Sequence, residues 1–128
     1  VSTGGIGDLI EALGGAEEAG DAAAGNVLRH YTTSEAAEAI SKAGSIEPSA
    51  SSGVSFVTPD VYAGGAEAQS MLALPNTPDG FFEFPSSSVL EPSPASTVGE
   101  ANGFLGGGTE ITTSYPIDVS GIGFTPFG

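Results

Sequence analysis

The single histidine, His30, lies in the run Asn26-Val27-Leu28-Arg29-His30-Tyr31-Thr32-Thr33-Ser34-Glu35, at the end of an apolar stretch and just ahead of a helix start signal. A neutral imidazole at a strand end can donate or accept one directed hydrogen bond, which is how a nucleotide-binding enzyme could hold a ribose hydroxyl. Composition alone favours a half-buried structural histidine. Tyr31 and the helix cap raise the functional reading, because they fix the ring at the edge of a sheet. Tyr62 follows a strand and precedes Gly64-Gly65. Its ring can offer a flat face for a planar group, or simply fill a core. Glu110 follows Gly106-Gly107-Gly108-Thr109 at the start of a β-favouring run. Glycines admit close approach of a ligand or another backbone, and a carboxylate there can stabilise developing positive charge. The plain alternative for Glu110 is an exposed strand residue. Asp118 is a secondary candidate that reads more simply as a strand end, and Glu67 stands behind it.

These residues need elements to hold them. Residues 27–31 read as a strand. Thr32 is placed to cap the next helix, with Glu35 three residues on as the reciprocal partner of a capping box. Ala36, Ile40 and Ala43 supply the apolar face of that helix, Lys42 suits its last turn, and Gly44 stops it. Residues 45–48 form a short strand and 49–53 a loop. Residues 54–57 form a strand stopped by Pro59, and 66–74 a second helix ended by Pro75. Phe81 to Phe84 is an aromatic strand, Val89-Leu90 a short extended piece, 109–115 a strand and 117–124 a last strand. Helices come early and strands late, so the expected class is α+β with a mixed or antiparallel sheet and two or three short helices. Residues 1–25 read as a lead-in with a short amphipathic helix at Ile6, Leu9, Ile10 and Leu13, and 26–128 as the functional domain.

Bulk properties narrow the chemistry. The chain has 128 residues, enough for one domain with a core of its own. The absence of cysteine removes disulfides, thiolate metal sites and cysteine nucleophiles, and one histidine rules out a multi-histidine metal site, so no metal is expected. Sixteen acids against one lysine and one arginine give a net charge of −14. That balance opposes binding to nucleic acid or to an anionic membrane, and favours a partner with a basic face. Solubility or adaptation to a salty environment would account for it equally well. No apolar run approaches the ~20 residues of a membrane helix. The chain opens on Val1 without the features of a signal peptide, and reads as part of a longer protein whose upstream region carries any export instruction. There is no GxSxG or HExxH motif and no EF-hand pattern. The Gly106 run precedes a strand and has no following lysine, so it is not a phosphate-binding loop.

Three runs in this order, residues 27–32, Phe56-Val57-Thr58-Pro59 and Gly106-Gly107-Gly108-Thr109-Glu110, resemble an ADP-ribosyltransferase toxin domain. The similar group is the His-Tyr-Asp-signature type of bacterial polymorphic toxins, and within it the subgroup that modifies elongation factor Tu. The resemblance spans about residues 26–124. It implies a compact split sheet gripping NAD, used as substrate without a metal. His30 would hydrogen-bond the adenosine-side ribose. Tyr62 would stack on nicotinamide, with Phe56 and Phe82 as alternatives. Glu110 would support the cationic transition state. Tyr31 and Thr32 would adjoin the bound NAD, and Arg29 would offset the pyrophosphate charge. The chain departs from relatives carrying Glu-x-Glu or Gln-x-Glu, having Thr109-Glu110, and has no Asp directly after His30-Tyr31. The implied protein is a toxin domain, secreted within a larger bacterial protein, that acts in the cytoplasm of a competing cell on a protein target such as elongation factor Tu. It would be restrained by a cognate immunity protein with a basic face. Two rivals stay open: an NAD glycohydrolase on the same scaffold, and a non-catalytic binding module in which His30 is structural.

Overall fold

The computed structural model describes residues 27–127, and the lead-in expected over 1–25 lies outside the described residues. The fold is α+β with antiparallel strand pairing throughout the named ladders and two α-helices among the described residues.

Strand β1 (Val27–Thr32) is the hub. It pairs with β4 (Gly80–Pro85) from Val27↔Pro85 to Thr32↔Gly80, and β4 pairs in turn with β8 (Thr125–Pro126). A second sheet has the order β3 (Ser55–Val57), β6 (Thr109–Thr113), β5 (Ser96–Thr97). The two sheets meet where Arg29 and Thr58 exchange backbone hydrogen bonds of 2.8 and 2.9 Å. A small ribbon of β2 (Ser45–Ile46) and β7 (Ile117–Asp118) closes the far side.

Alternation along β1 and β4 places apolar groups on both faces. Leu28, Phe82 and Phe84 pack with Val57, Ile46, Ile117 and Val119 in the larger core. Tyr31 and Phe81, on the other face, pack with Tyr62, Ala68 and Phe127. The aromatic run at 81–84 therefore serves two cores from one strand.

Helix α1 (Ser34–Ala43) starts one residue later than the sequence pattern predicts. Its cap is Thr33, whose hydroxyl accepts from the Ala36 N–H at 3.3 Å, while Asp79 Oδ2 accepts from the Ser34 N–H at 2.8 Å. Thr32 cannot cap, because its backbone belongs to the ladder opposite Gly80 and its carbonyl accepts from the Asp79 N–H. The Thr32–Glu35 capping box is thus replaced by Thr33 and a long-range carboxylate. Gly44 ends the helix with φ 77°, and Lys42 sits in its last turn, both as the sequence implies.

Helix α2 (Gly65–Leu72) stops before Pro75 because Ala73 turns left-handed, at φ 52° and ψ 46°. Val89 is extended, at φ −96° and ψ 114°, in keeping with the expected extended piece, but it lies in no named strand. A single 3-10 turn at Ser86–Ser88 leads into it, and the Val89 N–H donates to the Ser86 carbonyl. Of the last strand expected over 117–124, only Ile117–Asp118 is strand, and β8 begins beyond it. Asp118 Oδ1 accepts from both the N–H and the hydroxyl of Ser120, and the local turn this makes, followed by Gly121 at φ 80°, separates β7 from β8. Strand β5 carries no apolar alternation and is exposed on both faces, so nothing in its own pattern marks it.

Candidate functional site

A cavity of about 510 Å³ opens where the two sheets part. Its walls are residues 29–31 of β1, residues 56–58 at the end of β3, residues 72–75 after α2, residues 98–102 after β5, and Glu110 of β6. That volume lies within the ~300–1,000 Å³ of small-molecule sites. His30, Arg29, Tyr31, Phe56 and Glu110 therefore share one pocket. Thr32 and Tyr62 lie outside its lining.

Arg29 and Thr58 form a close antiparallel pair, so the next pair to exchange bonds would be Tyr31 with Phe56. Instead the His30 ring turns into the gap, and its Nδ1–H donates to the Phe56 carbonyl at 2.9 Å. The imidazole stands in for a ladder donor just where β1 and β3 diverge. A carbonyl only accepts, so Nδ1 carries the proton and the neutral ring keeps Nε2 as an acceptor. Burial pushes the His30 pKa below its usual 6.5, outweighing the Phe56 hydrogen bond that raises it. The ring is therefore neutral at pH 7.

Glu110 pairs with Ser96 of β5. On its other side, the β3–β6 register continued one residue past Val57↔Ile111 puts it across from Thr58. Thr58 in turn faces Arg29. Arg29, Thr58 and Glu110 thus form a row across three neighbouring backbones, about 10 Å end to end at ~4.8 Å per step. Residues paired directly across antiparallel strands share a face, so Glu110 is on the same side as Arg29.

Arg29 is tightly placed. Its Nε lies 3.0 Å from Glu83 Oε2, its partner across β4, and a terminal nitrogen donates to the Tyr31 hydroxyl at 3.3 Å. The guanidinium carbon stands 3.8 Å over the Phe81 ring centroid. Stacking and one carboxylate hold the plane of the fork while the group still borders the pocket.

The aromatic placements select among the alternatives open in the sequence. Tyr62 is 7% exposed, packed beside Tyr31 with ring centroids 5.5 Å apart, and its hydroxyl donates to Asp60 Oδ2 at 2.7 Å. Burial first, and then Asp60, push its pKa well above the usual tyrosine range. The stacking face expected of Tyr62 is thus consumed by the core. Phe82 is fully buried. Phe56, by contrast, borders the pocket and is 46% exposed, so its ring is not consumed by the core. Tyr31 borders the pocket, but its hydroxyl is occupied: it donates to the Asp60 carbonyl at 2.9 Å and accepts from the Tyr62 N–H at 2.9 Å.

Of the two uses open to the glycine run, the structure shows the close approach of another backbone. A side chain on Gly108 would strike the Tyr62 hydroxyl and the Met71 carbonyl, and one on Gly106 would strike the Val98 carbonyl, at a φ of +79°. The N–H groups of Gly106 and Gly108 donate to the Ser70 and Met71 carbonyls at the end of α2. These glycines bring β6 against a helix terminus rather than making room for a ligand. Asp118 and Glu67 stand outside the pocket. The first holds the Ser120 turn, and its pKa is lowered by the Ser120 side-chain hydrogen bond and then the backbone one. The second accepts from the Ala63 N–H ahead of α2.

The sequence pattern points to no site role for Glu100 or Asn102, and Asp60 reads there only as the cap of a turn holding Val61 and Tyr62. Glu100 and Asn102 line the pocket, and Asn102 donates to the Ala73 carbonyl at 2.8 Å, tying two of its walls together. The Asn102-Gly103 pair is a turn signal that could have marked this hairpin, with positive φ at both residues. Asp60 is signalled only by a local turn after Thr58-Pro59; its partner Thr109 is distant in sequence.

Among the described residues no group of three or more His, Asp or Glu side chains is placed to hold a metal, and no helix is long and apolar enough to cross a membrane. The arrangement places an imidazole, a stacked guanidinium, a half-exposed aromatic residue and a carboxylate around one cavity. The chain matches no protein-family model, no curated protein and no solved structure to which it was compared.

Proposed function

We propose that this chain is an NAD-dependent mono-ADP-ribosyltransferase toxin domain with an ADP-ribosyltransferase-like split sheet, acting on a protein target such as elongation factor Tu. The observation that carries this reading is the gathering of His30, Phe56 and Glu110, from three different strands, around one pocket of suitable size. In this reading His30 Nε2 accepts from a hydroxyl of the adenosine-side ribose. Arg29 offsets pyrophosphate charge, and Phe56 takes the nicotinamide-stacking role in place of Tyr62.

The chemistry follows from the charges. As the bond between ribose C1′ and the nicotinamide nitrogen breaks, its electron pair leaves with nicotinamide and positive charge develops on the ribose. The Glu110 carboxylate stabilises that charge. A nucleophilic side chain of the target then bonds to C1′, and its proton passes to solvent. Binding before the bond breaks draws on His30, Arg29 and Phe56, whereas Glu110 acts most strongly in the transition state.

The net charge of −14 fits a protein target and a basic-faced immunity partner better than a nucleic acid. Export within a larger bacterial toxin and action in the cytoplasm of a competing cell belong to the same proposal. Labelled NAD in a bacterial lysate tests it: label should appear on one protein band as nicotinamide is released. Rapid loss of NAD without any target would identify a glycohydrolase instead. No NAD consumption, with or without lysate, would leave a binding module and overturn the reading.

A further inference from the structure

The turn after β3 contains a carboxylate that no step above uses. Asp60 is pinned by its own N–H, which donates to the Thr58 hydroxyl at 3.0 Å. One of its oxygens, Oδ2, accepts two hydrogen bonds, from the Tyr62 hydroxyl at 2.7 Å and from the Thr109 N–H at 2.8 Å. Its backbone carbonyl accepts from the Tyr31 hydroxyl. Thr109 is the first residue of β6, and Glu110 is the next. One residue thus ties β1, the turn and the start of β6 together.

We propose that Asp60 is a positioning residue for Glu110: by holding the Thr109 amide it sets where β6 begins, and so where the Glu110 carboxylate stands in the pocket. This role rests on the transferase reading. Upstream of Thr109 the three glycines are held by backbone hydrogen bonds to Ser70, Met71 and Val98, and the Asp60 carboxylate adds a side-chain anchor where β6 begins. A displacement of about 1 Å at a reacting group costs on the order of a hundredfold in rate. A carboxylate accepting from an amide supplies a short, charge-assisted anchor at that point.

The test compares Asp60→Ala with Asp60→Asn on the whole chain, with NAD cleavage and amide hydrogen exchange measured on the same preparations. Because one oxygen accepts both bonds, the Asn carbonyl can keep both, whereas Ala keeps neither. Asp60→Ala is expected to lower kcat roughly a hundredfold, leave KM for NAD nearly unchanged, and speed exchange at Thr109. Asp60→Asn should recover kcat to within a few-fold. If Asp60→Ala does not fold, Asp60→Glu shifts the anchor by one methylene, and the same loss in kcat without a change in KM is expected. A merely structural role would lower stability but leave kcat per folded molecule intact. That result, beside an active wild-type chain, overturns the positioning role alone. A wild-type chain that consumes no NAD, with or without bacterial lysate, overturns the transferase reading and this role with it.

Discussion

The two cores on either side of β1 differ in kind. The larger one is a cluster of apolar side chains, among them Leu28, Val57, Phe82, Phe84, Ile117 and Val119. The smaller one is built around Tyr31 and Tyr62, and its hydroxyls are tied to Asp60. The first is non-directional and tolerates small rearrangement at modest cost. The second is directional: each hydrogen bond specifies an angle and a partner. The pocket lies beside the second, where Tyr31 is both core and wall. Apolar packing holds the chain together, and hydrogen-bonded packing sets the geometry of the site.

Breaking the apolar core should have the largest effect. Phe82 is fully buried, and Phe82→Ala should cost about 3–5 kcal/mol of stability, read as a lowered urea midpoint. A loss below about 1 kcal/mol, on that scale for Phe→Ala, would mean that this core does not carry the fold. Glu110→Gln should behave in the opposite way, with an unchanged midpoint and near-normal NAD affinity. The barrier to bond cleavage should rise by about 3–4 kcal/mol, a hundredfold to a thousandfold in rate. Near-normal turnover would remove Glu110 from the chemistry, and Glu100 would then be the carboxylate left in the pocket wall.

Tyr62→Phe sharpens the contrast, because it keeps the ring and deletes only the hydroxyl bound to Asp60. A hydrogen bond to a charged group typically contributes about 1.5–3 kcal/mol, and a loss of that size is expected from chemical denaturation. An unchanged midpoint would show that the small core is held by its rings alone.

The smallest effect concerns pH. His30 has a folded-state pKa below 6.5, so the unfolded chain binds its proton more readily. Its contribution to stability is present above pH 6.5 and declines as pH falls toward the folded-state value. His30→Ala should cost only about 1–2 kcal/mol at neutral pH and flatten that decline. NAD binding should weaken far more than the fold. A pH profile unaffected by His30→Ala would assign the decline to another group.

Short-range signals in the sequence were sound. Gly44 ends α1, Lys42 lies in its last turn, and the strands at 27–32 and 80–85 lie close to where their apolar runs place them. Local chemistry also misled. Thr32 has the composition of a cap but serves the ladder, because hydrogen bonding to Gly80 and Asp79 claims its backbone. The strand predicted over 117–124 is interrupted by an Asp118–Ser120 turn that alternation alone does not reveal.

By itself, the sequence determined the class of the fold, the presence of His30 beside a strand end, and a strongly negative net charge. These depend on residue type, on periodicity and on contacts a few residues apart. The tertiary structure decided which aromatic ring is exposed, what the glycines are for, and that Glu110 and His30 border one pocket. Those outcomes rest on pairings across dozens of residues: Arg29 with Thr58, Asp60 with Thr109, Gly108 with Met71. A tyrosine and a phenylalanine present the same apolar ring to a pattern reading. Only packing, which buries Tyr62 against Tyr31 and leaves Phe56 facing the cavity, tells them apart.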